Sequence, residues 1–201
     1  METNTSIRQV KKFLGMVVEN MPEMDKDTMQ GWIENPTGLK KVLAEALLPP
    51  LEIWKTVKIG SFSNTDAIRE DIKKAGMKIG DYANDILDKF SLPVEGETEI
   101  NLVLLSVDDL GFINGAKYSE ICRRAKEFGL ELCPPEVGPQ LRLQYKDQPD
   151  GQWVTIAMEP ITDSGGDPLL FGVGRRSDDL WLFGNSDRFW NSTRQFAFVL
   201  P

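Results

Sequence analysis

Apolar residues recur every three or four positions near the start of the chain. Ile7, Val10, Leu14 and Val17 share one such stripe, and this period predicts an amphipathic helix. The same period returns twice more before a pair of consecutive prolines ends it. We therefore predict a helical arm over residues 1–50, whose apolar stripes must pack on one another, on the rest of the chain or on a partner.

From residue 51 the pattern changes to shorter apolar segments. IWKTVKIG alternates and closes on a glycine, which predicts a strand. INLVLLSV is almost continuously apolar and predicts a central strand buried on both faces. Helical periods over TDAIREDIKKAG, DYANDIL and KYSEICRRAKEFG lie before and after it. Six later segments predict strands separated by turn-forming residues: LELC, QLRLQY, WVTIAMEPI, LLFGVGRR, LWLFG and QFAFVL.

These elements predict an α+β fold, with an N-terminal helical arm, a mixed region and a C-terminal antiparallel sheet. The short connections between successive strands favour antiparallel pairing. We expect the helical arm at residues 1–50 and an α+β domain at residues 51–201. The polar segment SLPVEGETE marks a possible internal boundary near residues 91–99.

The segment FGLELCPPEVGPQLRLQYKDQPDGQ allows two interpretations. Cys133 could be a nucleophile with Glu136 as its base. Activation of a thiol needs a cationic neighbour or a helix N-terminus, and neither lies nearby in sequence. The prolines and glycine are typical of a corner between two strands, which is the interpretation that we favour.

Composition places the chain among ordinary globular proteins. Its 201 residues are 41% hydrophobic and 27% charged, with a net charge of −8. No apolar run approaches the length of roughly 18 to 20 residues that spans a bilayer, so we expect a cytoplasmic protein that does not contact a membrane. The two cysteines are expected to be reduced. We predict no cofactor.

The sequence contains no histidine. This absence excludes the Ser-His-Asp triad, the Cys-His pair and every zinc site with an imidazole ligand. Any chemistry must therefore use carboxylates, Lys, Arg, Tyr, Ser, a thiol or a bound hard cation.

A helix-turn-helix motif is one alternative for TDAIREDIKKAGMKIGDYANDIL. Its second helix would carry Asp81, Asp85 and Asp88, which would repel DNA phosphates. Together with the acidic net charge, this makes nucleic acid an unlikely partner, and we favour a helix pair packed on a sheet.

Two groups of carboxylates are candidates for a metal site. Asp163 and Asp167 could offer oxygens to Ca²⁺ or Mg²⁺, although a hairpin turn explains the same residues. Asp108 and Asp109 follow the buried run and, combined with Glu120 or Glu159, could form a two-metal site that hydrolyses phosphodiesters. Alternatively, one of these aspartates caps a turn.

Arginine and tryptophan are concentrated in the second half of the chain, and both are typical of interfaces. On antiparallel strands they could form a face for stacking and bidentate hydrogen bonding. The alternative places the tryptophans in the core and the arginines on a solvated rim. The binding candidates are Arg142, Arg175, Arg176, Trp181 and Trp190, with Trp153, Arg188 and Arg194 as neighbours.

The segments GLELCPPEVGPQLRLQY, WVTIAMEPI and GDYANDIL resemble pieces of an uncharacterised bacterial or phage-associated protein family. The resemblance covers the chain from about Trp54 onward. It implies no activity and no residue roles.

We therefore expect a non-enzymatic module that binds a macromolecule, with a protein as the expected partner. The alternative is a carboxylate-based, metal-dependent hydrolase acting on nucleic acid or carbohydrate. The sequence leaves the identity of the partner and the oligomeric state open.

Overall fold

The computed structural model describes residues 7–47, 51–92, 96–186 and 189–201. These residues form both helices and a large sheet, which confirms the predicted α+β class. Among them, no helix combines the length and the apolar character that crossing a bilayer requires.

The chain divides into two compact units, residues 1–48 and 49–201. The predicted domain boundary after residue 50 lies outside the described residues. So does the middle of the possible boundary near residues 91–99, because residues 93–95 are not described.

The first unit contains the three predicted helices, α1 (Ile7–Glu19), α2 (Lys26–Glu34) and α3 (Pro36–Leu47). Asp25 caps α2, because its Oδ1 accepts a hydrogen bond of 2.7 Å from the backbone N–H of Thr28. Helix α3 begins at Pro36, and the Oδ1 of Asn35 just before it accepts a hydrogen bond of 2.9 Å from the N–H of Gly38.

The second unit holds four helices and eight strands within its described residues. The helices are α4 (Thr65–Lys74), α5 (Asp81–Leu87), α6 (Tyr118–Glu127) and α7 (Val137–Gln144). The strands are β1 (Lys55–Ile59), β2 (Lys78–Ile79), β3 (Thr98–Ser106), β4 (Trp153–Ile156), β5 (Ile161–Thr162), β6 (Pro168–Arg176), β7 (Asp179–Asn185) and β8 (Gln195–Val199).

The main path of the sheet follows the order β1-β3-β8-β4-β6-β7-β2, and β5 pairs with β6 beside it. Strand β3 lies inside the sheet as predicted, between β1 and β8. The sheet is mixed, because β4 pairs parallel with β8 and β2 pairs parallel with β7. These two contacts join strands that are distant in sequence, so the short connections that predicted antiparallel pairing do not determine them.

The core of this unit forms where helices cover the sheet. Helix α4 turns Ile68 and Ile72 inward, and both are fully buried. Strand β8 contributes Phe196 and Phe198, whose ring centroids lie 6.2 Å apart. Because these positions repeat with the helical and strand periods, the sequence pattern identifies them.

The prediction of a strand at QLRLQY is wrong, because these residues lie in and just beyond helix α7. Val137, Leu141 and Tyr145 are all buried and are spaced four apart, which is a helical period. Leu141 and Leu143 had supplied the apparent alternation. Helix α7 lies close to β6 at Gly138, where an added Cβ would come within 2.6 Å of Phe171. LELC likewise contributes only isolated bridges, at Glu131 and Cys133.

Candidate functional site

The helical arm exposes large apolar side chains. None of residues 11–39 is buried, although this range contains α2 and most of α1. Leu14 is 54% exposed and Val18 is 68% exposed, one helical turn apart on α1. We call the following set the arm's apolar surface: Phe13, Leu14, Met16, Val18, Met21, Met29, Ile33, Val42 and Leu43.

The polar contacts of the arm are local. Each side-chain hydrogen bond among its described residues joins positions three or four apart, as in the 2.7 Å bond from Gln30 Nε2 to Glu34 Oε1. Isolated helices shorter than about 12 to 15 residues are marginal in water, and tertiary packing of the apolar face normally stabilises them. The arm's apolar surface lacks this packing, because its side chains are exposed.

Sequence reasoning identified the apolar stripes of the arm but did not place them among the binding candidates. A sequence signal for binding was present in three methionines that the structure shows to be exposed, Met16, Met21 and Met29. Methionine is flexible and polarizable, and it is over-used on surfaces that bind several partners.

Two of the predicted binding residues, Arg142 and Trp190, lie in the core and not on an exposed face. Arg142 is fully buried and Trp190 is 1% exposed. Trp190 packs edge-to-face on Phe196, with ring centroids 4.9 Å apart. Burial lowers the pKa of Arg142 to about 10. Neither side chain can contact a partner directly.

Arg142 and Arg175 meet around Gln148. The guanidinium of Arg142 donates to Gln148 Oε1 at 2.6 Å and to the Gly174 carbonyl at 3.4 Å. It also donates to the carbonyl of Tyr145. Arg175 donates to the Gln148 carbonyl at 3.1 Å. These contacts organise the loop before β4, so both arginines have a structural role.

Among the other members of the Arg/Trp set, Trp153 and Trp181 are both paired with Gly174 of β6, so they point to the same face of the sheet. Arg176 is exposed at the end of β6, and Trp181 is partly buried on β7. A cleft of about 260 Å³ lies beside Trp153 and Arg194, and Gln152 and Gln195 also line it. Arg188 lies outside the described residues.

Two of the carboxylates proposed for a hydrolytic site, Asp109 and Glu120, hold local backbone structure. Asp109 Oδ2 accepts a hydrogen bond of 2.8 Å from the N–H of Ser106, and it also contacts the Ser106 hydroxyl. Glu120 Oε2 accepts from the N–H of Lys117 at 2.9 Å, in the first turn of α6. Asp108 is exposed in the same turn as Asp109.

Asp163 performs a similar task in the turn between β5 and β6. Its Oδ1 accepts hydrogen bonds from the N–H groups of Gly165, at 2.7 Å, and Asp167, at 2.9 Å. These bonds, that from Asp167 foremost, lower the pKa of the Asp163 carboxyl. Within the part of the chain that the structure describes, no group of three Cys, Asp or Glu side chains could hold a metal ion.

Cys133 and Glu136 hydrogen-bond to other groups, and no hydrogen bond joins them as a nucleophile and a base. Cys133 is buried, its thiol donates to the Ala197 carbonyl at 3.4 Å, and burial raises its pKa. Glu136 Oε1 accepts from the N–H of Gly60 at 2.7 Å. The geometry supports a structural role for both residues. The predicted corner between two strands is wrong, because Glu136 leads directly into helix α7 and the preceding LELC segment forms only isolated bridges.

The helix-turn-helix alternative also fails on geometry. Strand β2 lies between α4 and α5 and pairs with β7, so the connection is not the short turn of that motif. Arg69 joins the two helices, because it donates to the Asn84 carbonyl at 3.2 Å and contacts Asp88. This region is a helix pair packed on the sheet, as favoured above.

No protein-family model matches the chain, and neither a curated protein nor a solved structure is similar enough to match it.

Proposed function

We propose that this protein is a non-enzymatic module that binds another protein through the apolar surface of its helical arm. One observation carries the proposal: residues 11–39 contain no buried side chain, yet they present a row of exposed Leu, Val, Ile, Phe and Met residues. Covering a side chain of this size contributes roughly 1.5 to 3 kcal/mol. An amphipathic helix that lays its apolar face in a partner's groove is a common mode of recognition.

The test compares two variants of α1 that change the net charge equally. Leu14→Glu places a charge in the arm's apolar surface, whereas Lys12→Gln removes a charge from the same helix without altering an apolar position. Both full-length variants and the wild type are studied by light scattering after size exclusion, for self-association, and by capture from host lysate.

We expect Leu14→Glu to weaken association about tenfold or more, since placing a charge against an apolar partner costs at least 1.4 kcal/mol. Lys12→Gln should behave like the wild type. Because Leu14 is 54% exposed, both variants should keep the wild-type melting temperature. A melting temperature that falls by several degrees in Leu14→Glu alone would contradict the proposal, because the stripe would then be packed within its own chain. Unchanged association in both variants would also contradict it.

A further inference from the structure

The residues that follow α6 form an extended segment with one open side. Glu131 exchanges hydrogen bonds of 3.0 and 2.9 Å with Val199 of β8. The backbone N–H of Cys133 donates to the Ala157 carbonyl at 2.6 Å. Main-chain groups of consecutive residues point to opposite sides of an extended segment. The N–H and C=O of Leu132, between Glu131 and Cys133, therefore point away from the partners of those two residues, and no described residue hydrogen-bonds to them.

This open edge borders a groove. Two adjoining cavities, of about 470 Å³ and about 530 Å³, share Leu132, Lys126 and Glu159 in their linings. Helix α6 forms one wall, where Tyr118 and Cys122 are half-buried and give it an apolar base. We call this space the α6 groove. It has a helix on one side and unpaired main-chain groups on the other.

The walls of the α6 groove differ in charge. Lys126 is exposed on the helical wall, and no described carboxylate forms an ion pair with it. Glu131 and Glu159 are exposed on the opposite wall. An extended segment that carries an acidic residue beside α6 and a basic residue beside Glu159 would complement both walls.

We propose that the α6 groove binds an extended peptide segment of a partner protein, which adds a strand beside Leu132. Main-chain hydrogen bonds to an open edge give affinity in this mode, and alternate side chains give specificity. The peptide's apolar residue covers Cys122 and Leu132, while its acidic residue pairs with Lys126. The α6 groove shares no residue with the arm's apolar surface, so either proposal can fail without the other.

The probe is a library of random linear hexapeptides displayed on phage and selected on the immobilised full-length protein. Enriched sequences are then synthesised with blocked termini, and their binding is measured by fluorescence polarisation. Two variants at exposed helical positions are compared: Ser119→Trp, which fills the groove, and Lys73→Trp on α4, which does not line it. Melting temperatures verify that both variants fold.

We expect peptides that bind with a Kd of roughly micromolar size, at least tenfold more weakly to Ser119→Trp and equally to Lys73→Trp. Methylation of the peptide nitrogen that pairs with the Leu132 carbonyl should abolish binding. Reversing the acidic residue of the peptide should weaken binding to the wild type and restore it for Lys126→Glu. Saturating peptide should slow the labelling of Cys122 by a thiol reagent.

The proposal is overturned if no peptide is enriched. It is also overturned if the selected peptides bind Ser119→Trp as well as the wild type and leave Cys122 labelling unchanged. The Leu14→Glu variant of the arm should bind the peptides normally. This last comparison separates the α6 groove from the function proposed for the arm.

Discussion

The side-chain amide of Gln144 makes both hydrogen bonds to Lys58 that a neighbouring strand would make. Its Oε1 accepts from the Lys58 N–H at 3.0 Å, and its Nε2 donates to the Lys58 carbonyl at 2.8 Å. Lys58 lies in β1, an edge strand of the sheet. An edge with unpaired main-chain groups invites pairing with another chain. Gln144 closes this edge at Lys58, in contrast to the open edge at Leu132.

Replacement of Gln144 by Met tests this closure. The variant keeps the length of the side chain and loses both hydrogen bonds, so we expect the free energy of unfolding to fall by about 1 to 2 kcal/mol. Urea denaturation followed by tryptophan fluorescence measures the change. We also expect faster aggregation on incubation, which light scattering detects, because β1 then has an open edge. Unchanged stability together with unchanged solubility would contradict the role of Gln144.

We expect Arg142 to stabilise the fold of the chain, and not to contribute to a complex with a binding partner. Arg142→Met leaves buried acceptors on Gln148, Tyr145 and Gly174 without their donor. The expected loss is roughly 2 to 4 kcal/mol in the free energy of unfolding. Arg176→Met, at an exposed position of the same predicted binding set, should change stability by less than about 0.5 kcal/mol. Equal stabilities for the two variants in chemical denaturation would refute this assignment.

The periodic part of the fold could be predicted from the sequence. The apolar spacing of α4 and the continuous run of β3 both correspond to observed elements, because each depends on local period. Helix α7 was missed because Leu141 and Leu143 mimic the alternation of a strand.

The contacts that assign roles to polar residues could not be predicted in the same way. Gln144 and Lys58 lie 86 positions apart, and no local pattern joins them. The burial of Arg142 depends on Gln148 and on the carbonyl of Gly174, which comes from another strand. The stripes of the arm were visible in the sequence, whereas their exposure is a tertiary property.

Variants of Asp109 test whether its carboxylate caps a turn or binds a metal ion. Its carboxylate accepts from the N–H of Ser106, so Asp109→Ala should lower the free energy of unfolding by about 1 kcal/mol. Asp109→Asn keeps an acceptor oxygen and should retain most of this stability. A metal ligand would instead need the charge, and both variants would then lose metal-dependent stability equally. Melting temperatures are measured with EDTA and with added Mg²⁺, and we expect no difference between the two conditions for the wild type.

The turn between β5 and β6 should respond to acid through Asp163. Hydrogen bonds from the N–H groups of Asp167 and Gly165 lower the pKa of this carboxyl below its usual value of 3.8 in the folded state. A carboxyl whose folded pKa is lowered contributes stability above its unfolded pKa and loses it as the pH falls through the folded pKa. Asp163→Asn has no such titration. The stability advantage of the wild type over Asp163→Asn should therefore be largest near neutral pH and shrink below about pH 4.

Urea unfolding of both proteins at a series of pH values measures this difference directly. The comparison cancels the titration of every other carboxyl, because the two chains differ only at residue 163. Hydrogen exchange at the amides of Gly165 and Asp167 locates the effect, since these are the groups that Asp163 binds. If the difference in unfolding free energy stays constant from neutral to acidic pH, the charge of Asp163 does not stabilise the turn. A difference that shrinks on acidification, with faster exchange at both amides in Asp163→Asn at neutral pH, identifies Asp163 as the residue that holds this turn.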